Sequence, residues 1–287
     1  MILLTKYNVF EYLNYLRANK IICNLNLSVF DIQISNVESD SRNLVYFIKV
    51  NENNYLIKQF FKDGDFNENA FKTELGFYSN IYSNKIVFSD ENHKIIIYKK
   101  IINSFTFYNA PKLFAKGEQK YSESILDNIA NELNNIHIIN STSSNIASFR
   151  NFKIELLSHI LLELNREYLK SFNFDSIIHT DLHANNILIS KDLSVNIIDW
   201  ERTSIGDRYV DIAYIILNII LKKDAMFFTS NSIEEFEKPI KYYTKYFIGK
   251  ITDINVEKLK IFTKVLAHGI IADMNNIYEN KIANILT

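Results

Sequence analysis

The sequence predicts an α+β chain of two lobes, and three observations carry that expectation. The first hundred residues hold several short β-rich runs between two helical stretches. From about residue 103 onward, long segments place apolar residues at helical spacing. Breakers are scarce, with six glycines and two prolines in 287 residues, so no flexible linker marks a boundary. Strands first and helices after is the order of an α+β architecture.

The elements follow in sequence. A helix is expected from Lys6 to Asn19, then strand-like runs in FDIQIS, NLVYFIKV and NYLIKQFF. The last two flank a polar NENN stretch and read as a hairpin. A helix from about Asn67 to Tyr82 puts Phe71, Leu75 and Tyr78 on one face. HKIIIYKKI is the next strand. In ESILDNIANELNNIH, residues Ile125, Ile129, Leu133 and Ile136 make a helical stripe. A second stripe, Ile154, Leu157, Leu161, Leu164 and Tyr168, runs through the segment that ends at KSF. Three more helices are expected after residue 206, the last from Val256 to about Tyr278.

Composition removes several function classes. With 32 basic and 33 acidic residues spread along the chain, the net charge is −1, so no nucleic-acid partner is expected. The single cysteine, Cys23, excludes an internal disulfide framework and suits a reducing compartment. The apolar run of the N-terminus is too short for a signal peptide. YIILNIIL, residues 214 to 221, is far short of a membrane span. The expectation is a soluble, cytoplasmic protein with no membrane partner.

The chemistry concentrates in HTDLHANNILIS, residues 179 to 190. His179, Asp181 and His183 alternate, so in an extended strand they would share a face and could form a transition-metal set. The other reading is a catalytic loop. SIIH precedes the stretch, and NILIS, KDLS and VNIIDWE follow it as two strands around a tight turn. Such a hairpin gathers Asp181, Asn186 and Asp199. Phosphoryl transfer needs this set: one carboxylate for the attacking hydroxyl, and oxygen ligands for Mg²⁺ on the nucleotide phosphates. Asp181 fits the first role, Asn186 and Asp199 the second. A lysine on a strand and a glutamate on a helix should stand upstream, and Lys58 and Glu74 do so. Lys49, Lys62 and Glu68 are the alternatives if the register shifts. The transition-metal reading accounts for neither residue, which leaves His183 a structural role.

HTDLHANNIL followed by IIDWERTSIGDRYVDIA resembles the aminoglycoside phosphotransferase and choline kinase-like family, relatives of the protein kinases. The NELNNIH helix end adds to the likeness. The resemblance implies a bilobal protein kinase-like fold: an N-lobe over residues 1–98, a hinge over 99–103 and a helical C-lobe over 104–287. It implies Asp181 as the catalytic base, Asn186 and Asp199 as magnesium ligands, and Lys58 paired with Glu74 in the nucleotide site. His179 would brace the catalytic loop and Asp211 would anchor it. Residues 97 to 101, including Tyr98 and Lys99, would bind the nucleobase. The donor is ATP or GTP, with GTP favoured if the Tyr98 ring projects into the base pocket.

The chain departs from its relatives at named positions. Thr180 replaces the first glycine of H-G-D-L-H-P-G-N, and Ala184-Asn185 replaces its Pro-Gly, with Asn185 able to take a left-handed backbone. Arg208 stands where relatives often carry proline. VESDSRNLVY lacks glycine where protein kinases use a glycine-rich loop. The family commonly has a polar loop there, so Ser41 and Asn43 are the expected phosphate contacts.

The acceptor implied is a hydroxyl of a small molecule: an antibiotic, an amino alcohol or something sugar-like. From Leu221 onward ten lysines face eight acidic residues, which gives no acidic field for a polycationic antibiotic. A kinase of peptide Ser/Thr side chains and a nucleotide-binding module without turnover are the alternatives.

Overall fold

The computed structural model describes residues 3–5, 8–19, 32–36, 43–50, 53–62, 64–101, 103–107, 119–138, 150–151, 161–227, 234–270 and 286. Ser41, Cys23, Ile154 and Leu157 lie outside these residues. So do the expected start of the first helix at Lys6 and the expected end of the last helix near Tyr278. Two compact units emerge: Met1–Ile102 with Trp200–Arg202, and Asn103–Asp199 with Thr203–Thr287.

In the first unit, period-two alternation along the strands decides what each face carries. Strands β1 (Ile32–Asn36), β2 (Asn43–Val50) and β3 (Asn53–Lys62) precede the short β4 (Asp65–Phe66). They are followed by β5 (Ile86–Asp90) and β6 (Ile95–Lys99). The sheet order is β1-β2-β3-β6-β5, with every pair antiparallel and β4 on the end of β3. The expected hairpin forms, but Asn53 and Asn54 belong to β3 and Val50 pairs Asn53, so the turn is two residues shorter than the NENN stretch. β5 is a strand that the sequence pattern does not predict.

One face of this sheet packs on α1 (Val9–Ala18). Tyr46, Ile48, Ile57, Ile95 and Ile97 share a buried cluster there with Val9, Leu13 and Leu16. Gln59 is buried on β3 with both ends of its amide bonded: Oε1 accepts from the Leu4 amide at 2.7 Å and Nε2 donates to the His93 carbonyl at 2.9 Å. The alternate residues Lys58 and Tyr98 contact α2 (Glu68–Ile81) instead. Helix α2 starts where expected, its Asn67 Oδ1 accepting from the Ala70 amide at 3.1 Å. Its buried face is Phe71, Glu74, Phe77 and Tyr78, while Leu75 is only half-buried.

Trp200 explains why residues 200–202 join the first unit. Its fully buried indole stacks on Phe77 with centroids 3.7 Å apart and planes at 11°.

The second unit is built on five helices among the described residues: α3 (Gln119–His137), α4 (Leu161–Ser171), α5 (Tyr209–Phe227), α6 (Glu234–Ile248) and α7 (Val256–Ile270). All four stripe residues of α3 are buried as the spacing predicts. Helix α5 packs on α6 and α7, α4 on α7, and α3 on α6. Two small sheets complete the unit. Strands β10 (Ile187–Ser190) and β11 (Val195–Ile197) form the expected hairpin, with β7 (Ser104–Thr106) added on the other side of β10. Strand β12 (Ser204–Gly206) lies between β8 (Arg150–Asn151) and β9 (Ser176–Ile178).

Candidate active site

In the first unit, the antiparallel register puts Lys58 opposite Val45 on one side and Ile96 on the other, so it sits mid-sheet and buried. Its Nζ lies 2.6 Å from Glu74 Oε2 on α2. A buried ammonium is tolerable only with such a partner. The other oxygen of Glu74 accepts from the Tyr98 hydroxyl at 2.8 Å, which fixes the carboxylate from two directions. The Tyr98 ring also packs on Tyr78, with centroids 5.2 Å apart. Its hydroxyl is thus committed to Glu74. Lys99 is exposed at the end of β6. Asn43, at the start of β2, donates from Nδ2 to Glu201 Oε2 at 2.6 Å. Lys49 is exposed and Glu68 is bonded to Lys72 at 2.6 Å, so neither alternative reaches this cluster.

In the second unit, the loop between β9 and β10 hangs from one buried carboxylate. Asp211 is fully buried in the first turn of the apolar α5. Burying a carboxylate there is costly unless donors surround it. Its oxygens accept from the His179 amide at 2.9 and 3.1 Å, from the Thr180 amide at 3.2 Å and from His137 Nε2 at 3.1 Å. Asp211 therefore holds the backbone that carries Asp181.

His179 supplies a second fastening. Its Nε2 lies 2.8 Å from the Ile198 carbonyl, which can only accept, and its Nδ1 faces the Asp181 amide at 3.3 Å, which can only donate. Both contacts place the ring proton on Nε2. The same imidazole thus links the residue before Asp199 to the backbone of Asp181. Asn186 adds a third link: Nδ2 donates to the Asp181 carbonyl at 3.0 Å. Its backbone carbonyl accepts from the Ile198 amide at 2.9 Å, just before Asp199. The hairpin register, with Ile187 opposite Ile197, is what sets Asn186 beside this end of β11.

The donor set suits a hard divalent cation. Because the Asp181 carbonyl can only accept, Asn186 must turn Nδ2 toward it, leaving Oδ1 as its oxygen donor. With the Asp199 carboxylate this makes an all-oxygen pair, the kind Mg²⁺ takes alongside phosphate and water. His183 is exposed, and its part in the loop is through its backbone, which donates to Asp181 and accepts from Asn186.

The backbone corrects one expectation about the departures. Asn185 is not left-handed; it lies in the single 3-10 turn Ala184–Asn186. The left-handed residue is Thr180, with φ of 67°. A β-branched residue in that region is strained, which gives a physical reason for the glycine that relatives carry there. The clasp of Asp211 on its amide holds it in place. Asp199 is also left-handed, at φ of 66°. Arg208 donates from Nη2 to the Asp253 carbonyl at 2.7 Å, and the buried Asp207 accepts from the Tyr209 amide at 3.1 Å at the start of α5.

Two further side chains stand against these residues. His137, buried on α3, places Nε2 3.1 Å from Asp211 Oδ2 and lines a cavity of about 510 Å³ with Asp207, Arg208, Asp253 and Lys258. Glu201 had no role, although it stands 3.2 Å from Lys58 Nζ. An acidic residue following Asp199 and a buried tryptophan was the available signal.

Residues 150–236 match the family model described as the phosphotransferase enzyme family, a span that includes Asp181, Asn186, Asp199 and Asp211. A choline kinase from Streptococcus pneumoniae is similar in structure at a TM-score of 0.53 and 16% identity, over 96% of this chain and 98% of that one. Spectinomycin phosphotransferase, solved with ADP and spectinomycin, gives 0.56 at 14% identity over 96% and 97%. A choline kinase from Cryptosporidium parvum Iowa II gives 0.57 at 14% identity over 96% and 93%. No curated protein matches. The fold is the protein kinase-like fold of choline kinases and aminoglycoside phosphotransferases. Among the described residues no helix is long and apolar enough to cross a membrane.

Proposed function

We propose that this chain is a member of the phosphotransferase enzyme family, whose model matches residues 150–236, and that it moves the γ-phosphate of ATP or GTP to a hydroxyl group of a small molecule with Mg²⁺ as cofactor. The observation that carries the reading is the fastening of the 179–186 loop. Asp211 holds the amides of His179 and Thr180, and the Asn186 amide holds the carbonyl of Asp181. A loop tied at both ends fixes a carboxylate against an incoming hydroxyl, and such positioning is the main contribution a protein makes to phosphoryl transfer.

In this reading Asp181 orients the acceptor hydroxyl and takes its proton. Lys58, held by Glu74, meets the phosphates. Asn186 and Asp199 would hold the magnesium ion, which supplies charge neutralisation on the phosphate oxygens. His179 keeps Asp181 and the segment entering Asp199 in fixed relation, and donates no proton to substrate because its Nε2–H is held by Ile198. The acceptor class rests on likeness to relatives whose names specify choline or spectinomycin.

The test uses purified protein with Mg²⁺ and ATP or GTP, offered separated small-molecule and peptide fractions of a cell extract together with choline, ethanolamine and spectinomycin. Mass spectrometry reads phosphate gain. Gain in a small alcohol supports the reading; gain only in peptides moves the chain to peptide kinases. Nucleotide binding with no gain in any fraction contradicts transfer.

A further inference from the structure

The apolar run YIILNIIL of residues 214 to 221 holds one amide side chain, Asn218. Its neighbours on α5, Ile215, Ile216, Leu217, Ile219 and Ile220, are all buried. An amide in such a stretch is costly unless it is bonded. Asn218 is half-buried, and its Nδ2 donates to the Leu182 carbonyl at 2.8 Å. Leu182 directly follows Asp181, and its own side chain is fully buried. The chain just after the aspartate is therefore held twice, by packing and by Asn218.

Asn218 lies seven residues after Asp211, two turns further along the same face of α5. Asp211 takes the amides of His179 and Thr180, before Asp181. Asn218 takes the carbonyl of Leu182, after it. The Asp181 amide and carbonyl are bonded within the loop itself, to His179, His183 and Asn186. One helix thus ties the loop on both sides of Asp181, and with Asp211 alone both amides it holds would lie on the same side.

Resting on the reading of Asp181 as the group that takes the acceptor's proton, we infer that Asn218 is a positioning residue for phosphate transfer. Its amide holds the Leu182 carbonyl so that the Asp181 carboxylate keeps one direction toward the acceptor hydroxyl. Asn218 touches no substrate in this role. Its effect falls on turnover and spares nucleotide binding, because the contacts of Lys58 belong to the first unit.

The experiment compares the full chain with Asn218→Leu, which removes the donor and continues the apolar run, and Asn218→Gln, which keeps a donor on a longer arm. Two quantities are measured: hydrogen exchange by mass spectrometry, and kcat and KM for nucleotide with an alcohol that the parent phosphorylates. In Asn218→Leu the inference expects exchange over residues 179–186 to rise about tenfold, while residues 53–62 and the rest of α5 exchange as in the parent. It expects kcat to fall about 10- to 100-fold with KM for nucleotide within about twofold. Asn218→Gln should recover part of the lost kcat. A merely structural asparagine gives another pattern: exchange rises along α5 as a whole, the thermal midpoint falls, and glutamine rescues nothing, which overturns the inference. If the parent transfers phosphate and Asn218→Leu keeps the parent kcat, this inference fails while the phosphotransferase reading stands. If the parent transfers phosphate to no acceptor, both fail. Asn218→Ala, which removes the amide without adding bulk, carries the same test should the leucine variant not fold.

Discussion

The Lys58 cluster of the first unit and the Asp181 loop of the second are held in opposite ways. Around Lys58 the fastening is charge on charge: an ammonium between two carboxylates, with a tyrosine hydroxyl and an asparagine amide as outriggers. Around Asp181 it is backbone on side chain: amides and carbonyls of the loop are held by Asp211, His179 and Asn186. A charge cluster can trade one anion for another, so it suits a place where phosphates come and go. A backbone clasp fixes geometry and exchanges nothing, which suits a reacting carboxylate that must not wander.

That contrast can be broken first at Asp211. Asp211→Ala leaves the amides of His179 and Thr180 and the ring of His137 without their acceptor in an apolar setting. The expected cost is about 3–5 kcal/mol, seen as a shifted urea midpoint, with phosphate transfer lost. Asp211→Asn sharpens the point by keeping the shape and removing the charge, and should fall between the variant and the parent.

Glu74→Gln probes the Lys58 cluster. Because Glu201 remains beside Lys58, the stability loss should be small, about 1–2 kcal/mol by thermal unfolding. The larger effect should be on KM for nucleotide, with kcat less affected. A loss as large as that of Asp211→Ala would contradict the idea that the charge cluster is replaceable. Thr180→Gly is the mildest change. It relieves the left-handed backbone at φ of 67° and should stabilise by about 0.5–1 kcal/mol, readable as a raised Tm.

How far the sequence reached follows the same division. Local pattern was enough for the β2–β3 and β10–β11 hairpins, the α3 stripe and the strand and helix that bring Lys58 against Glu74, because alternation and helical spacing act within a few residues. β5 and β7 were missed since each is short and defined by its partner strand. Asn185, expected to be able to turn left-handed, lies in a 3-10 turn and Thr180 is left-handed instead, because which residue turns depends on what holds its amide. The partners of Glu201 and His137 are beyond local pattern for a related reason: they lie 143 and 74 positions away, at Lys58 and Asp211. No local spacing reports contacts of that kind.

The central claim is that the Lys58 cluster binds and the Asp181 loop reacts, and Asp181→Ala tests it most directly. Nucleotide affinity and single-turnover phosphate transfer should be measured side by side on the variant and the parent, with an acceptor that the parent phosphorylates. The account predicts nucleotide affinity within a few-fold of the parent and transfer reduced by about 10²–10⁴. Transfer at the parent rate, or affinity lost together with transfer, would contradict it.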